Sequence, residues 1–208
     1  MLYRKVKKTG EELSVLGFGC MRVPQKRGRI DEKRATRQIR SAIDRGVNYL
    51  DTAMLYHLGA NEPFLGRALR DGYRERINLA TKLPPGAVKT RPDMDRLLDA
   101  QLDMLRTDRI DYYLLHGIDG ESWNKIRELG ALEFLDKAKE DGRIRYAGFS
   151  FHGDIDAFKE IVDAYDWEVC LIQYNYLDEH NQAGTEGLKY AAGKGLGVII
   201  MEPLRGGN

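Results

Sequence analysis

Seven short apolar runs divide the 208-residue chain, and most of the intervals between them are long enough for a helix. The runs are Leu16–Cys20, Asn48–Thr52, Ile77–Lys82, Ile110–His116, Tyr146–Ser150, Val169–Tyr174 and Gly197–Glu202. Several are almost continuously hydrophobic, as strands covered on both faces are. The helices between them show in the spacing. Over Asp31–Arg45 the apolar positions are Ala35, Ile39, Ala42 and Ile43, and Gly46 follows as a stop. Over Pro92–Arg106 they are Met94, Leu97, Leu98, Leu102 and Leu105, with the proline at the start. Ala131–Asp141 ends at Gly142, and a further helix fits Ile155–Tyr165. Alternating strands and helices predict a parallel sheet in one α/β domain.

Two parallel architectures compete, an open doubly wound sheet and a closed (β/α)₈ barrel. The open sheet usually carries G-x-G-x-x-G at its first strand-to-helix turn. Here that turn reads Gly17-Phe18-Gly19-Cys20-Met21-Arg22, only G-x-G, which a tight turn also explains. Ahead of it, Tyr3–Lys7 and Glu12–Val15 read as a hairpin turning at Thr9-Gly10.

Composition removes several function classes. Thirty-three Lys and Arg nearly cancel 32 Asp and Glu, leaving a net charge of +1 and no basic field for nucleic acid. The longest apolar runs are far too short to span a bilayer, and Met1–Lys5 lacks the apolar core of a signal peptide. Cys20 and Cys170 form no C-x-x-C pair and are expected as free thiols in a cytoplasmic protein.

The polar residues are placed in phase with the runs. Asp51, Lys82, His116, Ser150, Gln173 and Glu202 each fall at or near the C-terminal end of a different run. Any one of them reads as a residue leaving the core for solvent. Six in phase share one rim of a parallel barrel, where active sites are built. Tyr56 lies five positions after Asp51, so a short loop can return it to that rim. A phenol has a pKa of about 10, and a nearby Lys82 ammonium would lower it. Such a tyrosine can give a proton to a carbonyl oxygen, with Asp51 holding Lys82 and neutral His116 hydrogen-bonding the same oxygen. This site has a proton donor and no reductant, so the hydride must come from a bound cofactor.

These residues carry a family resemblance. Asp51-Thr52-Ala53-Met54-Leu55-Tyr56 resembles the D-T-A-x-x-Y segment of aldo-keto reductases, and Gly46–Leu50 resembles its lead-in. Ala80-Thr81-Lys82, Leu114-Leu115-His116, Gly148-Phe149-Ser150, Gln173-Tyr174-Asn175 and Glu202-Pro203-Leu204 resemble the later strand ends, in order. The resemblance implies a (β/α)₈ barrel that reduces aldehydes or ketones with NADPH, or with NADH. It places the family's catalytic tetrad on Asp51, Tyr56, Lys82 and His116. Ser150 and Gln173 fall where the nicotinamide carboxamide is held, with Phe151 where many members have Asn and Met201 on the nicotinamide face. Gly17–Met21 would supply backbone on the substrate side, with Cys20 where Thr or Ser is commoner, and Gly19, Cys20 and Met21 count among the cofactor positions. Glu202, Pro203 and Leu204 complete the cofactor positions. Met21-Arg22-Val23-Pro24 and Tyr56-His57-Leu58-Gly59 are similar to a subgroup that often carries a C-terminal iron–sulfur domain, although no cysteine cluster for one lies in this chain.

The seven runs stop short of the eight strands the resemblance implies. The expectation is a fragment of a longer protein over 1–208, with two unpaired sheet edges and weak binding of the cofactor's phosphate; the alternative is a natural short form, completed by a partner or no longer catalytic. Three alternatives stand beside the reductase. A Schiff-base aldolase would use Lys82 as nucleophile. A metal site would draw on His57, His116 or His152, which lack tight ligand spacing. A regulatory barrel would bind NADPH without useful turnover. The expected partner is a small carbonyl compound.

Overall fold

The computed structural model describes residues 1–207. The chain opens with β1 (Tyr3–Lys5) and β2 (Glu12–Ser14), an antiparallel pair in register Tyr3 with Ser14. Then come β3 (Phe18–Gly19), a small ribbon of β4 (Gln25–Lys26) and β5 (Arg29–Ile30), and α1 (Glu32–Asp44). Next are β6 (Tyr49–Asp51), α2 (Asn61–Ala68), β7 (Asn78–Leu83), α3 (Arg91–Leu105) and β8 (Ile110–Ile118). The remainder runs α4 (Gly120–Glu128), α5 (Ala131–Glu140), β9 (Ile144–Phe151), α6 (Ile155–Asp163), β10 (Val169–Gln173), α7 (Gly184–Gly193) and β11 (Gly197–Met201).

Seven strands form one parallel sheet in the order β11-β10-β9-β8-β7-β6-β3. Each neighbours the strand next to it in sequence. A doubly wound sheet reverses its order at a switch point; this one never does. The two apolar clusters settle the same question. The larger holds the buried helix residues, among them Ile39, Leu98, Trp123, Phe134 and Phe158, against one face of the sheet. The smaller holds Tyr49, Ala80, Tyr112, Leu114, Val169 and Leu171 on the other face, capped by Val6 and Leu13 from the N-terminal hairpin. Helices outside and strand side chains inside make this seven strands of an incomplete (β/α)₈ barrel. No helix among the described residues is long and apolar enough to cross a membrane.

Local chemistry sets the element ends. Asp31 caps α1, accepting from the Arg34 N–H at 3.1 Å. Thr90 and Asp93 form a capping box at the start of α3. Inside the barrel, successive strand residues alternate between the faces. Gly148 points inward, where an added Cβ would lie 2.6 Å from both Val169 Cγ2 and the Val169 carbonyl oxygen. Only glycine fits there, between β8 and β10.

Candidate active site

The alternation that builds the core also builds the site. On β6, Tyr49 and Asp51 face inward; on β7, Ala80 and Lys82; on β8, Tyr112, Leu114 and His116; on β9, Gly148 and Ser150. Gln173 on β10 lies in register with Met201 on β11, and both continue the inward series. The C-terminal ends of these strands therefore bring Asp51, Lys82, His116, Ser150, Gln173 and Met201 to one end of the barrel interior.

Lys82 is the centre of the group. Its side chain is fully buried, and Nζ donates to Asp51 Oδ1 at 2.7 Å, the Thr52 carbonyl at 2.8 Å and Tyr56 Oη at 3.0 Å. An ammonium has three N–H donors, so all are used. Burial pushes the amine toward neutrality, but the Asp51 carboxylate and Tyr56 oxygen outweigh it and hold its pKa above the ordinary lysine value. A lysine kept charged in this way is a poor Schiff-base nucleophile.

Tyr56 reaches the rim through a short turn, Tyr56–Gly59, in which His57 and Leu58 both adopt a left-handed φ of 54°. Left-handed backbone costs a non-glycine residue about 1–2 kcal/mol. The turn is tied down where His57 Nδ1 and Asn61 Nδ2 meet at 2.9 Å. Lys82 can only donate, so Tyr56 Oη is the acceptor in that contact and keeps its own proton for another oxygen. The Tyr56 pKa departs from the sequence expectation. Burial raises it above the ordinary phenol value, and the Lys82 ammonium offsets that only in part. Asp51 also raises it. Tyr56 is thus a protonated phenol at neutral pH. His116 stands beside it, ring centroids 6.0 Å apart and planes at 79°. Burial, then the Lys82 charge, pushes His116 down to about 4, so its imidazole is neutral.

A cleft of about 840 Å³ opens against this group, between β3 and β11. Gly19, Met21, Asp51, Tyr56, Met201, Glu202 and Pro203 lie on its wall. Gln173 Oε1 accepts from Asn181 Nδ2 at 3.2 Å, leaving the Gln173 amide N–H₂ for a further acceptor. The Ser150 hydroxyl accepts from the Gly117 N–H at 2.6 Å. Three of the positions expected from sequence stand apart. Phe151 is one residue out of phase with Ser150 and points outward, 5.0 Å from the Phe158 ring. Cys20 is fully buried in the outer cluster, and burial, with Asp51, pushes its thiol pKa up. Leu204 is exposed beyond the left-handed bend at Glu202, whose φ is 57°.

The structure adds residues that sequence did not single out. The Thr52 carbonyl holds Lys82, and the Thr52 hydroxyl donates to Asn61 Oδ1 at 2.7 Å. Asn61 Nδ2 reaches the Cys20 carbonyl at 2.9 Å, joining the β6 and β3 ends. A backbone carbonyl leaves no mark in a sequence motif. Of the other histidines, His57 meets Asn61 and His152 Nδ1 lies 3.2 Å from Gln182 Oε1. Among the described residues no group of three His, Cys, Asp or Glu is close enough to hold a metal ion.

Known proteins are similar to this chain in sequence and in fold. The aldo/keto reductase family model matches residues 15–208. The uncharacterized oxidoreductase YqkF of Bacillus subtilis is 33% identical over 187 residues, 86% of this chain and 58% of that protein. The NADP(+) aldo-keto reductase yakc of Schizosaccharomyces pombe is 35% identical over 151 residues, 67% of this chain and 43% of that protein. The holo form of the aldo-keto reductase AKR11C1 from Bacillus halodurans superposes with a TM-score of 0.84 at 31% identity, covering 100% of this chain and 68% of that one. The chain thus spans about half the length of the curated relatives it matches. With seven strands in barrel order, an Asp–Lys–Tyr–His group at their C-terminal ends and a family model matching almost end to end, this chain belongs to the aldo-keto reductase family.

Proposed function

We propose that the protein reduces aldehydes or ketones with a nicotinamide cofactor, NADPH rather than NADH, and that Tyr56 supplies the proton. One observation carries this reading: Lys82 uses all three of its donors, so Tyr56 Oη accepts from it and its own proton is free for a carbonyl oxygen. The naming of yakc for NADP(+) supports the choice of cofactor. The cofactor, when bound, supplies a hydride. Gln173 would meet its carboxamide through the free amide N–H₂, Met201 would pack beside the ring through its thioether, and Gly19, Met21, Glu202 and Pro203 would line the cleft around it. Ser150 would join Gln173 by turning its hydroxyl proton from the Leu115 carbonyl, while still accepting from the Gly117 N–H. Phe151, Cys20 and Leu204 contribute no side chain to this arrangement.

The chain's own residues then divide the work. Neutral His116 donates a hydrogen bond that orients the substrate oxygen and takes up part of its developing charge. Tyr56 moves a proton from Oη to that oxygen, and Lys82 stabilises the phenolate left behind. Asp51 keeps Lys82 charged throughout. The test is Tyr56→Phe, which keeps the ring and removes the proton. It should lower aldehyde-dependent NADPH oxidation about 10²- to 10⁴-fold, the usual worth of a general acid, while cofactor binding persists. Turnover near the parent's would rule Tyr56 out as the acid.

A further inference from the structure

Behind Lys82, on the outer face of β7, lies a second buried polar group. Glu62 sits in the first turn of α2 and is 1% exposed. Its Oε1 accepts from the Thr81 hydroxyl and, at 2.7 Å, from Gln101 Nε2 on α3. Gln101 is fully buried and its Oε1 accepts from Tyr113 Oη at 2.7 Å. The same Gln101 Nε2 lies 3.1 Å from the carbonyl oxygen of Lys82. The position of that carbonyl explains the contact. Strand carbonyls alternate between the two edges, so Ala80 and Lys82 present theirs on the same side. The Ala80 carbonyl accepts from the Thr52 N–H at 2.9 Å, which places both on the β6 side. β6 ends at Asp51, so its ladder does not extend to Lys82, and Gln101 stands in for it. A buried acid, an amide and a threonine thus converge on the one peptide that carries the central lysine. Thr81 and Lys82 are adjacent, one held outside the barrel and one inside.

We propose that Glu62 and Gln101 are positioning residues for Lys82: through the Thr81 hydroxyl and the Lys82 carbonyl they fix the end of β7, so that Nζ meets Asp51, Thr52 and Tyr56 together. This rests on the reading of Tyr56 and Lys82 given above. The clamp is rigid because both its anchors are buried in helices packed on the sheet, and misplacing a reacting group by about 1 Å can cost 10²-fold in rate.

The experiment uses the full chain and four variants: Gln101→Leu, Glu62→Ala, Glu62→Gln and Thr81→Val. Turnover is normalised to the folded fraction from circular dichroism, and the Lys82 ammonium is followed by its ¹H–¹⁵N resonance, assigned with Lys82→Met. Gln101→Leu and Glu62→Ala should each lower kcat roughly tenfold or more, leave the KM for NADPH within about twofold and shift or broaden the Lys82 resonance. Glu62→Gln keeps an acceptor for Thr81 and Gln101 and should recover most of the loss. An unmoved Lys82 resonance with parental kcat per folded molecule in Gln101→Leu would overturn the clamp, as would equal losses in Glu62→Gln and Glu62→Ala. If the two larger changes do not fold, Thr81→Val decides by the same two readouts. Tyr56→Phe separates the two ideas: if it turns over normally the reductase mechanism fails, whereas the Lys82 resonance still reports on the clamp.

Discussion

Lys82 and His116 show how far single residues here depend on what surrounds them. The Lys82 ammonium is the neighbour that pulls the Tyr56 pKa down against burial. Lys82→Met should therefore raise that pKa further and leave the Asp51 carboxylate without its partner. Carbonyl reduction should fall by roughly 10²-fold at neutral pH, and its alkaline limb should move to higher pH. A pH–rate profile unchanged in shape would count against this. His116 sets a stability limit on the acid side. Its folded-state value, about 4, lies below its ordinary 6.5, so folding favours the neutral ring. That stability is fully present above about 6.5. It is lost as pH falls from there through about 4, because the unfolded chain takes the proton first. The size is on the order of 3 kcal/mol at one pKa unit per 1.36 kcal/mol. His116→Asn should flatten the fall in urea midpoint between pH 7 and pH 4.5, and an equal fall in parent and variant would refute it. Glu62 works the other way. Burial raises its pKa, and the stability it contributes is lost as pH rises, so only the difference between parent and variant isolates His116.

The elements were legible wherever an apolar period ran long enough. The seven sheet strands fall within a few residues of the apolar runs, α1, α5 and α6 lie within the expected spans, and α3 begins one residue ahead of its own. α2, α4 and α7 left weaker marks. α4 buries only Trp123 and Ile126, and α7 begins on glycine, ends on glycine and packs through Gly184, Gly187 and Ala191, so neither shows a broad apolar stripe. α2 carries Pro63 and buries two polar residues, Asn61 and Glu62, where a periodicity argument looks for leucines. The glycine at 148 is a prediction at this scale. Gly148→Ala places a methyl 2.6 Å from Val169 and 2.7 Å from Leu114 Cδ2, and the backbone atom among its neighbours cannot swing away. The strand pair β9–β10 must then part slightly, at about 1–3 kcal/mol, and the thermal midpoint should drop by several degrees. An unchanged midpoint would mean that the barrel is less tightly closed here than these distances show.

At the scale of the molecule, phase was the legible signal in the sequence: Asp51, Lys82, His116, Ser150 and Gln173 come to one rim, whereas Glu202, expected with them, lies past the end of β11, where Met201 takes the inward place. Sequence placed Phe151 beside Ser150, but that residue is one out of phase, and strand alternation turns its ring into the outer cluster. It also missed Thr52 and the Glu62–Gln101 pair, which act through a carbonyl or from the far side of a strand. The last prediction asks where a nicotinamide dinucleotide settles. Two concave places can be set against each other. One is the cleft at the strand ends, with Met21, Tyr56, Met201 and Pro203 on its wall. The other, of about 460 Å³, lies beyond the ends of α2 and α3, where Arg70, Arg74, Arg106 and Arg109 could attract a phosphate. The second is the weaker host. Arg74 is committed to Asp111 at 2.8 Å, and Asp71, Glu75 and Asp108 share the same wall. The cleft is also where Tyr56 presents its free proton. Saturating NADP(+), at about 100 times Kd, should therefore stabilise the fold by about 2.7 kcal/mol and raise the thermal midpoint by roughly 5–10 °C. Amide exchange should slow at 17–21 and 201–204, on the two lips of the cleft, and stay unchanged at 70–76 and 105–109. Protection confined to those last two segments would move the cofactor to the opposite end of the barrel, out of reach of Tyr56, and with it the hydride donor the proposed reduction requires.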